Sequence, residues 1–321
     1  MRSGPRPRPE AISVGADRRP DPRFGGMERT PATRPHITPF EDSRRWGHVT
    51  ARPDDIVIST PPKCGTTWMQ RIVMSLLWPA DDAPATRGEL SPWVDIRQTP
   101  IEDVAARLDA QTHRRFIKTH TPADGIPLEP DVRYVVVYRR PADALVSWGN
   151  HRGAMRREVV EMLNALGVED GLDGVPIEFT GDYDELLEEW TAYWSPGIHL
   201  APWWPLRNEP NVHFVHYTDL DRDLSAEMQR LAAFLEVDVP GDLWSATVDR
   251  CRLDAMRDEA RAAGVSHRMF VDGADSFFYK GGVGRGAELL SRGQLDAVAE
   301  HHRALLSADA HAWVEHGGPV P

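Results

Sequence analysis

The residues with the most chemical potential lie in one short stretch, "STPPKCGTTWMQ", at positions 59–70. A β-branched run, "DDIVIST", leads into it, and an amphipathic run, "TTWMQRIVMSLLW", leads out. A strand, a tight turn and a helix in that order leave the amides of Gly65, Thr66 and Thr67 unpaired at a helix N-terminus, where they and the helix dipole attract an anion. The threonine hydroxyls add donors, and Lys63 adds a positive charge across the loop. The usual loop for nucleoside triphosphates, G-x-x-x-x-G-K-[ST], places its lysine after the last glycine; here Lys63 precedes Gly65. Cys64 raises a second chemistry, because a thiolate in an anion loop can be a phosphatase nucleophile. That mechanism needs C-x5-R, whereas Cys64 and Arg71 are spaced C-x6-R, so Cys64 reads as a small loop filler. The reading without function is an ordinary strand-to-helix turn.

Basic residues carry a second signal. Of 37, only Lys63, Lys118 and Lys280 are lysines, the other 34 being arginines. In a chain that writes its cations as arginine, a lysine marks a place where a compact ammonium on a flexible stem does something a guanidinium does not. Lys118 belongs to "RRFIKTH" (114–120), where strand alternation puts Phe116, Lys118 and His120 on one face.

The elements that must position these groups follow from periodicity. "DDIVIST" (54–60), "RRFIKTH" (114–120), "RYVVVYR" (133–139) and "NVHFVHY" (211–217) read as strands. Between them lie helical patterns: Trp68, Ile72 and Leu76 at four-residue spacing, "PIEDVAARLDAQ", "DALVSWGN" after Pro141, and "SAEMQRLAAFLEV" (225–237). Alternating strands and helices predict an α/β fold of three layers, P-loop-like, with a central parallel sheet and helices on both faces. Ligands in such folds bind at the carboxyl ends of the strands. Residues 1–35, rich in Pro, Gly and Arg, read as a disordered extension, and 36–321 as a single domain. The irregular segment 150–210 contains Trp190, Trp194, Trp203 and Trp204; it is either an acceptor-covering lid or a packed excursion.

Bulk properties exclude several classes. A net charge of −12 argues against a nucleic-acid partner. Two cysteines imply no disulfide framework. No apolar run reaches membrane-spanning length and no secretory signal is recognisable, so a cytoplasmic protein without an integral membrane segment is expected. The histidines do not cluster as metal ligands: His213 and His216 face opposite ways along a strand, and His301 and His302 are adjacent on a helix. No metal is expected.

The phrase "P-K-x-G-T-T-W" after a strand resembles the 5′-phosphosulfate loop of the cytosolic-type sulfotransferases, which use 3′-phosphoadenosine 5′-phosphosulfate (PAPS). Three more motifs stand in that family's order: "KTH" at 118–120, "YRRPADALVS" at 138–147 and "FFYKGGVG" at 277–284. The resemblance spans roughly residues 45–310, contains all three lysines, and is nearest in look to actinobacterial glycolipid sulfotransferases. It implies PAPS as co-substrate, 3′-phosphoadenosine 5′-phosphate (PAP) as product, and a small-molecule or glycolipid acceptor with a partly apolar body. Lys63, Cys64, Gly65, Thr66 and Thr67 would then hold the phosphosulfate and Trp68 the adenine, with Tyr217 nearby. Arg139 and Ser147 would bind the 3′-phosphate, and Tyr279, Lys280 and Gly281 would close over it. His120 would be the general base, with Lys63 and Lys118 stabilising charge during transfer. The chain departs from the family pattern at Tyr279, where arginine is usual, at Gly284-Arg285-Gly286, and at Cys251, where threonine is common. The dimerisation motif of many animal members is absent. Competing readings are a P-loop kinase or NTPase, and a PAPS- or PAP-binding protein without turnover.

Overall fold

The computed structural model describes residues 27–168, 170–262, 269–277 and 281–321. Four short strands form its sheet: β1 (Ile56–Ser59), β2 (Phe116–Thr119), β3 (Arg133–Tyr138) and β4 (Val212–His216). Their order is β2-β1-β3-β4, and every pairing is parallel. Ile56 is level with Phe116 on one side and with Arg133 on the other.

Both faces are covered, as the continuous apolar runs predict. Ile56, Ile58, Val135 and Val137 point to the face covered by α1 (Thr66–Leu77), whose Met69, Ile72, Val73 and Leu76 are fully buried. The helix Leu224–Leu235 adds Met228, Leu231 and Leu235 to the same core. Val57, Tyr134, Val136 and Tyr138 point the other way, toward Trp203, Trp204 and Trp313. The period-two alternation along β3 therefore serves two cores at once.

A third core joins Phe40, Cys64, Trp148, Trp190 and Trp194 above the carboxyl end of the sheet. The four tryptophans of segment 150–210 are buried, between 0% and 5% exposed. The segment forms helices Arg157–Val168, Tyr183–Tyr193 and Pro196–Trp203. Of the N-terminal stretch read as disordered, residues 1–26 lie outside the described residues. Residues 27–35 are anchored instead: Met27 is buried, and Thr30 exchanges backbone hydrogen bonds of 2.9 and 2.8 Å with Leu128.

Strand order places the site. The chain leaves β1 to form β2 on one side, then crosses to form β3 on the other, so β1 sits where the winding direction reverses. A crevice opens at the carboxyl end of such a strand. The segments that follow β1, β2 and β3 are the loop of Lys63, the residue His120 and the residue Arg139.

Candidate active site

The loop after β1 turns tightly before entering α1. The Cys64 N–H donates to the Pro61 carbonyl at 3.3 Å, and Lys63 has a φ of 66°, a conformation that costs a non-glycine residue energy. Gly65 caps α1 with a φ of 111°, and a Cβ there would lie 3.3 Å from the Tyr217 ring. The glycine is thus required by both backbone and space. Cys64 is fully buried behind the loop, and burial pushes its thiol up to about 12. A buried, protonated thiol fits the reading of Cys64 as a small loop filler. The Thr66 hydroxyl shares a hydrogen bond with that of Thr60, in which either oxygen can be the donor.

A cavity of about 530 Å³ opens in front of this loop, within the range of small-molecule sites. Lys63, Gly65, Thr66, Thr67, Trp68, Lys118, His120, Arg139, Ser147, Tyr217 and Gly281 all line it. Of the expected site residues, Cys64 alone among the described ones stays outside it, while Tyr279 and Lys280 lie outside the described residues. Among the described residues, six lysines and arginines face the cavity against Glu41 and Asp143, a local positive field within an acidic chain.

His120 follows β2 and is held at both ends. Its backbone N–H donates to Asp95 Oδ2 at 2.9 Å, and its Nδ1 lies 2.6 Å from the Thr60 carbonyl oxygen. A carbonyl only accepts, so Nδ1 carries the proton and Nε2 keeps its lone pair. Burial first, then the Lys118 charge, hold the imidazole well below its ordinary pKa; it is a neutral base at pH 7. The Lys118 ammonium lies 3.4 Å from the Trp93 ring centroid, and the same indole meets His120 edge-on at 4.8 Å. Burial pulls Lys118 down to about 8 and Lys63 down to about 7, with Arg139 the next cause for Lys63.

Arg139, buried where β3 ends, donates through Nη2 to the Gly282 carbonyl at 2.7 Å and lies over the Tyr217 ring at 4.4 Å. Its Nε–H is buried with no hydrogen-bond partner among the described residues. Tyr217 meets Trp68 edge-on at 5.0 Å, and the Trp68 indole donates to the Cys251 carbonyl at 2.7 Å. One turn after Arg139, Asp143 accepts from the Gly284 and Gly286 amides at 2.9 and 2.7 Å. Arg139 and Asp143 thus hold the C-terminal glycine loop by a carbonyl and by two amides. Arg285 of that loop lines the cavity.

Sequence reasoning missed Trp93, Asp95, His151, Glu41 and the task of Asp143. Asp143 stood inside a quoted motif; the others carried no local signal. Glu41 lines this cavity and a second one of about 580 Å³, which also share Pro62 and His120. Burial, reinforced by Asp95, raises the Glu41 carboxyl to about 8. Among the described residues, no group of three or more His, Cys, Asp or Glu is placed to hold a metal ion. No described helix is long and apolar enough to cross a membrane.

Comparison with known proteins agrees with this geometry. A glycolipid sulfotransferase of Mycobacterium bovis is 33% identical over 303 residues, covering 86% of this chain and 92% of that protein. Human sulfotransferase 1E1 is 28% identical over 201 residues, covering 60% and 63%. Mouse sulfotransferase SULT7A1, solved with PAP, superposes with a TM-score of 0.63 at 21% identity, over 83% of this chain and 89% of that one. Retinol dehydratase, solved with retinol and PAP, superposes with a TM-score of 0.64 at 16% identity, over 84% and 87%. The model of the sulfotransferase domain matches residues 53–309, which contain the whole sheet and all of the cavity lining except Phe40 and Glu41, and the chain therefore belongs to the sulfotransferase family.

Proposed function

We propose that the protein transfers the sulfuryl group of PAPS to a hydroxyl of a small, partly apolar acceptor, with His120 as general base. One observation carries the assignment of the base. The Thr60 carbonyl fixes the His120 proton on Nδ1, leaving Nε2 as a lone pair in a cavity also lined by Lys63, Lys118 and Arg139. As the acceptor oxygen forms its bond to sulfur, its proton passes to Nε2, while the bond from sulfur to the bridging oxygen breaks and PAP leaves. Lys63 and Lys118 stabilise the charge that develops on the bridging oxygen and the moving group.

The two anionic ends of the donor match two cationic places. The amides of Gly65, Thr66 and Thr67 with Lys63 receive the phosphosulfate. Arg139, through an Nε–H that has no partner among the described residues, and Ser147 receive the 3′-phosphate, with Gly281 closing over it. Trp68 and Tyr217 offer ring surfaces to adenine. Beyond His120 the wall is apolar: Phe40, Trp93, Trp148, Met155, Phe270 and Phe277. Such a wall suits the apolar body of an acceptor, and the names of the mycobacterial relatives point to a glycolipid. Met155 and Leu163 bring segment 150–210 into that wall as part of the acceptor cover.

The test is transfer of labelled sulfate from PAPS to phenols, sterols, sugars and lipid extracts. In His120→Ala the transfer is expected to fall about 10²–10⁴-fold while PAP still binds. Normal transfer by that variant would remove the base. Tighter binding of ATP with magnesium than of PAP would favour a kinase.

A further inference from the structure

Beside the groups given roles so far, the cavity holds a second imidazole. The Lys63 ammonium nitrogen lies 3.2 Å from His151 Nδ1 and 5.1 Å from the centroid of the Phe277 ring. His151 belongs to the helix Pro141–Ala154, four residues beyond Ser147 and so on the same helix face. Its ring stacks on Trp148 at 5.5 Å and 24° and tilts against Phe270 at 4.9 Å. These contacts fix the plane of the imidazole and with it the direction of the Nδ1 lone pair. An ammonium has three N–H donors and no lone pair, so the proton in this bond comes from Lys63. Two N–H donors remain.

We propose that His151 is a positioning residue for Lys63: its Nδ1 takes one N–H of the ammonium and aims the other two at the phosphosulfate in the loop. This rests on the reading that Lys63 holds that group. The lysine stem has four rotatable bonds, and its backbone is already committed to an unusual turn, so direction has to come from a partner at the far end. The other charged or titratable groups around Lys63 are Arg139, Lys118, Cys64 and His120. The first two are cations, and His120, whose Nε2 lone pair serves the acceptor proton, has no hydrogen bond to Lys63 among the described residues, whereas His151 has one. Around His151 they are Lys63, Arg152, Lys118 and His120, which together with burial keep the ring neutral and able to accept.

The experiment measures the PAPS dissociation constant by titration calorimetry between about pH 6 and pH 9, for wild type, Lys63→Ala, His151→Phe and His151→Asn. Phenylalanine keeps the ring stack and removes the acceptor; asparagine removes the stack and keeps an oxygen near the place of Nδ1. His151→Phe is expected to bind PAPS about 10- to 100-fold more weakly, the range for one hydrogen bond to a charged group. Its affinity is also expected to fall away at a lower pH than that of wild type, because Arg139 and Lys118 still repel the ammonium. His151→Asn is expected to restore most of both. A merely structural role predicts the reverse ranking, with Phe tolerated and Asn impaired. That reverse ranking overturns the proposal, as does an equal loss in both variants with no movement along the pH axis, or no loss in either. If Lys63→Ala itself binds PAPS as wild type does, the assignment of the phosphosulfate to this loop fails first, and the tether with it.

Discussion

Replacing Asp143 by asparagine is expected to loosen the glycine loop from the nucleotide cavity while leaving the sheet intact. The Asp143 carboxylate is 1% exposed and takes the Gly284 and Gly286 amides, one on each oxygen, at 2.9 and 2.7 Å. Asparagine keeps one acceptor and turns an NH2 toward the other amide. One hydrogen bond to a charged group is lost and one buried N–H is left without a partner, a combined cost of about 2–3 kcal/mol. Falling wholly on the docking of residues 281–286, that cost weakens PAP binding by about 30- to 150-fold. Titration calorimetry with PAP reads the effect, and a melting curve of the same sample shows whether the fold has suffered as well. A variant that binds PAP within about threefold of wild type would refute the idea that this carboxylate holds the loop over the nucleotide.

Other outcomes follow from the same geometry. The pKa of His120 lies well below its ordinary value, so the base stays available as pH falls through the normal histidine range; those of Lys63 and Lys118 are depressed to about 7 and about 8, so their charge is lost as pH rises past those values. The kcat/KM for PAPS, which reports the free enzyme, is therefore expected to decline on the basic side from near neutrality, and a profile flat to the usual lysine range would contradict it. Gly286→Ala puts a Cβ 2.5 Å from the Ala142 Cβ and 2.6 Å from its carbonyl carbon, and overpacking of this kind costs about 1–3 kcal/mol. A lowered Tm is expected, and an unchanged one would show that the two segments are not in close approach. Cys64, fully buried with its thiol raised to about 12, is expected to resist iodoacetamide in the folded protein and to react once it is unfolded. Rapid labelling of the native chain would reopen thiolate chemistry in the loop.

What could be read in the residues was what depends on neighbours in the chain. All four strands lie within the runs that announced them, because a strand buried on both faces writes its burial into every residue. Lys63, His120 and Arg139 stood out because each ends or follows such a run, and Lys118 because it is one of three lysines. Contacts across the fold left no mark of that kind. Trp93 reaches Lys118 and His120 from a short segment hydrogen-bonded beside β2, and nothing around "SPWVDI" announces an indole between an ammonium and an imidazole. His151 lies 88 positions from the lysine it meets. The tryptophans of 150–210 were ambiguous for a physical reason, since an indole serves a core and a ligand wall equally well.

The bracketing of β1 by β2 and β3 has a consequence for how this architecture can vary. The strand ends from which the loop lysine, the imidazole and the guanidinium depart are offset by the hydrogen-bond spacing of adjacent strands, about 4.8 Å per step. The sheet behaves as a ruler. Helices and covering segments can be lengthened, shortened or rewritten around it while the spacing of those three departure points stays fixed.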